Sequence, residues 1–405
     1  MRPVCGLVGL ALVLFTVASI LRTLVVPRGK PGTLMMVLWR AGRATLCAVL
    51  RPFPGYGIRD AALSWLAPLT LVATLVFWLG GLLIGYGLLL FALSGLPLSV
   101  AVREAGSSLF TLGFASTDRP HLSAVDFAAA ASGPLVIALQ ISYLPTLYAA
   151  FNRREVEVSL LDARGGEPSW GPELLARAGL IGTVEQLADL YRLWERLAAD
   201  IGESHANYPI LMGFRSPKPY RSWIVGLIAV MDAAALHLAL SPSTAPGEAR
   251  LVLRAGFTAL REIARATRIR YDPDPSPADP ITLTFAEFEN GVGRVVTAGF
   301  ATERSAAQAW PHFAGWRVNY ESIGYEVCRR SDAVPALWTG PRDWPHRPIP
   351  PIRPQDRRPT AGVPHRDEPT GPAPHEDRPA TGGCAEPATP TAPAGSPPPA
   401  AGRAR

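Results

Sequence analysis

Charge is what this sequence has least of. Of its 405 residues only 18% are Asp, Glu, Lys or Arg, against roughly a quarter in an average soluble domain. The shortfall is concentrated at one end. Residues 1–152 hold ten basic residues and only four acids, so the whole formal charge of +6 belongs to them. Such a stretch cannot keep a charged surface in water, which excludes a compact soluble protein over the full length. Lysine is nearly missing, with Lys30 and Lys218 alone beside the abundant arginine, a bias that fits a GC-rich bacterial genome. Cysteine is sparse as well. Cys5, Cys47, Cys328 and Cys384 stand far apart with no Cys-x-x-Cys or Cys/His spacing, which leaves neither a disulfide framework nor a zinc site. There is no Walker motif, nucleophile–base pair or oxyanion loop, and Gly291-Val-Gly-Arg lacks the third glycine of a dinucleotide fingerprint. A non-enzyme without metal or cofactor is therefore expected. The pI near 9.3 raises nucleic acid as a partner, but the basic excess flanks apolar segments. Anionic lipid is the expected partner, and nucleic acid is not.

What the sequence does have is long apolar runs. Val4 to Val26 carries one charge, Arg22, near enough to its end to snorkel. Its competing reading is a cleaved signal peptide, against which stand the length of the run and the single Arg2 before it. Ala61 to Val102 is uncharged and too long for one span; Ser94-Gly95-Leu96-Pro97 breaks it. Phe127 to Asn152 is also uncharged. About 20 apolar residues cross a hydrocarbon core, so each run qualifies. The loop 27–60 has six positive charges and one negative, residues 95–126 have two and three, and Arg153-Arg154 follows the third run. The positive-inside rule then puts the N-terminus outside, and residues 27–60 and everything after 152 in the cytoplasm, in a multi-pass protein of the cell membrane.

Within the basic loop, Leu34 to Arg51 places Arg40, Arg43 and Arg51 on one side of a helix, with Met35, Met36, Leu38, Trp39 and Leu46 supplying apolar surface. This reads as a helix on the inner leaflet with the three arginines facing lipid headgroups; a fourth span is the alternative. Further on, Pro172 to Gly202, Gly247 to Tyr271 and Ser305 to Arg330 repeat apolar residues at helical spacing. Trp223 to Leu240 is strongly apolar yet contains Asp232 and His237, and is expected to be the buried central helix of a soluble domain; an extra membrane segment is the alternative. The last 60 residues hold 16 prolines and almost no large apolar side chain, and should be disordered. The expected fold class is an all-α membrane protein with three transmembrane helices and a re-entrant pore helix. Its parts are an N-terminal transmembrane helix (1–30), an interfacial helix and basic loop (31–60), a pore module (61–155), a cytoplasmic helical domain (156–345) and a disordered Pro/Ala/Arg-rich tail (346–405).

The most informative stretch joins the second and third runs. Pro97 opens about three apolar-rich helical turns, which deliver Thr111-Leu112-Gly113-Phe114-Ala115-Ser116, small and extended. A helix followed by an irregular strand between two spans is the arrangement of a re-entrant loop, tolerable at membrane depth only where it is buried in protein or lines a water-filled path. Here the chain resembles the potassium-channel pore module of outer helix, pore helix, filter and inner helix. The family pattern is Thr-x-x-Thr-x-Gly-Tyr/Phe-Gly-Asp; this chain reads Ser108-Leu-Phe-Thr111-Leu-Gly113-Phe114-Ala115-Ser116. The resemblance covers about Pro31 to Glu155. It implies a homotetramer passing monovalent cations, potassium foremost, regulated by the cytoplasmic domain. It also implies an ion-binding filter at Thr111, Leu112, Gly113, Phe114 and Ala115, with the Phe114 ring bracing it from behind, and an inner-helix gating hinge at Gly133 and Pro134. Ala115 replaces the second filter glycine and Ser116 the acid. The alternative function is a non-conducting membrane-anchored scaffold or sensor that keeps a degenerate pore module.

Elsewhere the signals are weaker. Glu203 and His205 are too few for a metal site and read as a surface loop. Asp232 and His237 read as satisfied polar groups. Arg250, Arg254, Arg261, Arg265 and Arg268 stack on one helix face, either as a solvated stripe or as a contact for anionic lipid or a phosphate-bearing effector.

Overall fold

The computed structural model describes residues 1–26, 33–53, 55–115, 120–339 and 347–353. Among them the chain is all-helical, with no strand beyond the isolated bridges Glu167–Ile352 and Ala336–Ile349. Four helical stretches are long and apolar enough to cross a membrane: Arg2–Leu24, Tyr56–Ser94, Leu122–Gly165 and Trp223–Leu240. They are not alike. The most apolar windows of the first three are only 22%, 33% and 22% buried, whereas that of the fourth is 100% buried. Leu7, Phe15, Val76, Phe77, Ile84, Leu135 and Ile141 stand exposed on the first three. Apolar faces of that extent have no aqueous explanation, and they support a membrane protein. The fourth has no side chain left over for lipid.

Helix α1 (Arg2–Leu24) is followed by α2 (Thr33–Val49), α3 (Tyr56–Ser64) and α4 (Leu66–Ser94). α1 runs antiparallel to α4, with the Arg2 guanidinium donating to the Gly95 carbonyl at 2.8 Å. Their close approach depends on glycine: a Cβ at Gly9 would meet the Gly85 carbonyl at 2.7 Å, and one at Gly81 would meet Thr16 Oγ1 at 2.8 Å. Small residues at such crossings replace the hydrophobic effect, which does not hold helices together inside lipid. Gly95 takes φ +79° and ends α4. Pro97 caps α5 (Leu98–Leu109), whose 12 residues extend about 18 Å.

Helix α6 (Pro120–Gly165) contains 46 residues with Pro134 and Pro145 inside it, a rod of about 69 Å. It runs through the expected boundary at 155/156. Its last turns carry Val158 and Leu161 into the core of the second half, so no linker separates the two halves.

That second half winds α7 (Gly171–Ile181), α8 (Leu187–Asn207), α9 (Trp223–Leu240), α10 (Glu248–Thr267), α11 (Phe285–Thr297), α12 (Ala306–Arg317) and α13 (Glu321–Ser331) around α9. Two of the three periodic stretches are each two helices: Gly182, at φ +68°, ends α7 before α8, and residues 318–320 part α12 from α13. Capping boxes at Thr284/Glu287 and Ser305/Gln308 set the starts of α11 and α12. Residues 347–353, assigned to the tail on composition, pair back on this half, Ile349 N–H with the Pro335 carbonyl and Ile352 N–H with that of Glu167. The expected disorder of residues 354–405 lies outside the described residues.

The one ionic group in α9 is answered from α12. Arg317, 0% exposed, donates to Asp232 Oδ1, Glu321 Oε1, the Tyr325 hydroxyl and the Trp338 carbonyl. Glu321 also accepts the Thr282 and Leu283 N–H groups. Burial alone would push its carboxyl up, but Arg317 and those N–H donors hold it below the usual carboxylate range. Asp232 accepts only through Oδ1, its Oδ2 having no hydrogen-bond partner among the described residues; a buried ion pair is worth little against an apolar replacement of both partners, while breaking it by halves strands a charge. Arg317→Met should therefore destabilise the protein by about 3–5 kcal/mol. Arg317→Met combined with Asp232→Leu should recover at least half of that loss, as read by thermal melts in detergent.

Candidate functional site

The loop after α5 is built by the end of that helix. Leu112 N–H donates to the Ser107 carbonyl at 2.8 Å and Thr111 N–H to that of Ser108 at 3.0 Å. This is the bonding of a Schellman cap, with Thr111 as its left-handed residue at φ +54°. A side chain makes that conformation unfavourable by roughly 1–2 kcal/mol. The chain is thus turned back at Thr111 rather than extended through it, and the left-handed positions are Thr111 and Gly113, at φ +73°, not Ala115. Ala115 is instead held by its N–H, which donates to the Ser107 hydroxyl at 3.0 Å. Between these anchors no hydrogen bond among the described residues ends on the carbonyls of Thr111, Leu112, Gly113 or Phe114. All four residues are exposed. The Phe114 ring is 55% exposed and lies under the Arg103 guanidinium, 5.2 Å from ring centre to Cζ, so it is not behind the loop. Ser116 lies outside the described residues.

Acidic groups sit under this loop. Glu104, 3% exposed, lies beside Asp126 of α6, and its Oε1 has no hydrogen-bond partner among the described residues. The Ser108 hydroxyl donates to Asp126 Oδ1 at 2.8 Å. The polar residues Glu104 and Ser108, one helical turn apart on α5, are the sequence signal for this contact.

Gly133 has a definite role in the geometry. A Cβ there would collide with the Leu109 carbonyl oxygen, the last of α5. α6 runs unbroken through Gly133 and the exposed Pro134. The glycine therefore seats α5 against α6, and its missing side chain is used for contact.

At the other end of α4 and α6 the basic loop meets the second half. Asp332, which ends α13 in the left-handed region at φ +49°, accepts Arg43 Nε at 2.7 Å and Arg59 at 3.1 Å. Arg43 also donates to the Arg329 carbonyl at 2.8 Å. Arg215 binds Asp60, the Tyr56 hydroxyl and the carbonyls of Ser331 and Asp332. Arg43, expected with Arg40 and Arg51 to face lipid, turns inward instead, because a buried carboxylate with two acceptor oxygens outcompetes solvent for it. Arg40 and Arg51 remain exposed. Beside this joint Arg154, 0% exposed, donates to the carbonyls of Leu211 and Phe214 and meets His205 Nε2 at 2.9 Å. Burial, with the Arg154 charge beside it, holds the His205 imidazole well below its ordinary range. His205 is thus buried and not part of a surface loop; Glu203 is exposed and bonds Asn207. Among the described residues no three His, Cys, Asp or Glu side chains are grouped to hold a metal ion. His237 meets the Tyr191 hydroxyl at 3.3 Å, away from Asp232.

No family model, no curated protein and no solved structure matches this chain.

Replacing the seat of α5 tests how the loop is positioned. Gly133→Leu should displace the end of α5 and make a cysteine placed at position 112 change its thiol-labelling rate at least severalfold. Gly80→Leu, where nothing lies within 4 Å of the added Cβ, should leave that rate unchanged.

Proposed function

We propose that the chain is a channel-like membrane protein, a homotetramer passing monovalent cations along an axis lined by the carbonyls of Thr111 to Phe114. One loop per chain cannot enclose a path, so the reading requires fourfold assembly. The observation that carries it is the run of four exposed residues whose carbonyls accept no hydrogen bond among the described residues. They are offered by a short helix wedged between two long apolar ones. At about 18 Å, α5 reaches roughly halfway through a hydrocarbon core of about 30 Å, the depth of a re-entrant helix. Carbonyl oxygens without partners at that depth need water or an ion to complete them.

In this reading α1, α4 and the first half of α6 span the bilayer, with the N-terminus and the loop outside. The basic segment and everything after Asn152 are cytoplasmic. α6 would be the inner helix, and its continuation into the second core is the route by which that half acts on the path. Potassium is the ion the resemblance names. No enzymatic role is proposed.

One observation favours a second reading, a membrane-anchored scaffold or sensor without conduction. Arg103 places a fixed positive charge against Phe114, beside the path a cation would take, and an acid such as Glu104 is buried rather than at the mouth.

Liposomes holding the purified protein decide between them. The channel reading expects potassium flux exceeding sodium flux. Gly113→Val should abolish it while leaving insertion and assembly intact, because φ +73° excludes a β-branched residue although space is free around it. Well-folded tetramers that pass no monovalent cation at any voltage would leave the scaffold.

A further inference from the structure

The joint between the basic segment and the second half holds more positive charge than its two carboxylates use. A cleft of about 420 Å³ there is lined by Trp39, Arg40, Arg43, Arg268, Arg329 and Arg330. These are five arginines from three separate elements: α2, the end of α10 and the end of α13. Like charges gathered at this density repel one another unless an anion lies among them. The carboxylates that touch them are Asp332, on Arg43, and Glu326, on Arg329 and Arg330. Both are committed to positioning: the bonds from Arg329 and Arg330 hold the Glu326 carboxyl below its ordinary range, and Arg330 also caps α10 at the Thr267 carbonyl, 2.8 Å. Three guanidinium groups are thus fixed in place around the cleft. Arg40 and Arg268 make no side-chain hydrogen bond or ion pair among the described residues. Arg268 is the left-handed residue that ends α10, at φ +59°, so the helix cap fixes where its side chain starts.

We propose that this cleft binds the phosphate-bearing headgroup of an anionic lipid. Fixed planar guanidinium groups pair with phosphate oxygens two at a time, and the cleft presents several of them to one ligand. The choice of a lipid over a soluble phosphate rests on α2. Val37 and Val49 are exposed on it, 55% and 61%, and it lies where the apolar run of α4 begins, so acyl chains have an apolar surface to follow beside the headgroup. The proposal rests on the reading of the chain as a membrane protein with this face at the inner leaflet, and does not require conduction. The bound headgroup would tie α2 to α10 and α13, alongside the link through Asp332. It gives Arg40 and Arg43 a common ligand with Arg268 of the helix stripe, which lies far from them in the sequence.

The test is binding to full-length protein in neutral detergent, with no flux measurement involved. Cardiolipin and phosphatidylglycerol are compared with phosphatidylcholine, and inorganic pyrophosphate is the soluble arm. The proposal expects the acidic lipids to bind and raise the melting temperature, with phosphatidylcholine doing neither. Arg40→Gln and Arg268→Gln should each weaken acidic-lipid binding about tenfold without lowering the melting temperature of lipid-free protein. Arg250→Gln, on the same helix as Arg268 but outside the cleft, should have no effect on binding. Equal binding of acidic and neutral lipids, or unchanged affinity in both cleft variants, would overturn the site. Saturable pyrophosphate binding lost in the variants, with no acidic-lipid preference, would overturn the lipid and assign the cleft to a soluble phosphate.

Discussion

The carboxylate of Asp332 is the interaction on which the arrangement of the two halves depends. Its position follows from a local backbone choice: the left-handed residue that stops α13 also points its side chain at α2 and α3. A nearly buried carboxylate facing two guanidinium groups is held by charge-assisted hydrogen bonds to both of its oxygens. Asp60 balances Arg215 next to it, and Tyr56 is shared between Arg215 and the Asp332 carbonyl. Without this joint the second half would be held to the apolar half chiefly by α6 and by the apolar contacts of Trp39, Leu211 and Phe214. The same arginines carry the charge bias from which topology is inferred, so one set of residues does two jobs.

α6 sets the other constraint. Its first half is apolar on faces that nothing covers, while its last turns are buried in protein, and no break divides them. This one helix touches the end of α5 at Gly133 and the second core at Val158 and Leu161, so it joins those two places without a break. In the proposed function this helix is the route by which the second half acts on the carbonyl loop.

Much of this fold was legible because its largest signals are local. Long apolar runs with at most one charge marked α1, α4 and α6, and Ser94-Gly95-Leu96-Pro97 marked the turn into α5 because glycine and proline are needed there. α9 was legible in both its ends, Trp223 and Leu240, and its burial followed from carrying Asp232 and His237, which a lipid-facing helix would not tolerate unpaired. What could not be read is long-range or conformational. Nothing near Arg43 in the sequence announces Asp332, 289 residues away, so from sequence alone a helix with three arginines reads as wholly lipid-facing. Charge at the Asn152–Glu155 exit looked like the end of a helix, yet Arg154 is buried by partners at Leu211 and Phe214 that only the fold supplies. The loop itself was legible as a place and not as a shape. A small, apolar stretch permits an extended path or a helix cap, and the carbonyls of Ser107 and Ser108, not the residue types at 111–115, select the cap.

The central claim is that four copies bring their 107–115 loops around one axis, and spin labels test it most directly. With the native cysteines replaced and a single cysteine placed at Leu112, pulsed dipolar spectroscopy of the protein in lipid should give two distances in a ratio of about 1.4, the side and diagonal of a square set by fourfold symmetry. A single distance, or no dipolar coupling at all in folded, membrane-inserted protein, would contradict the account.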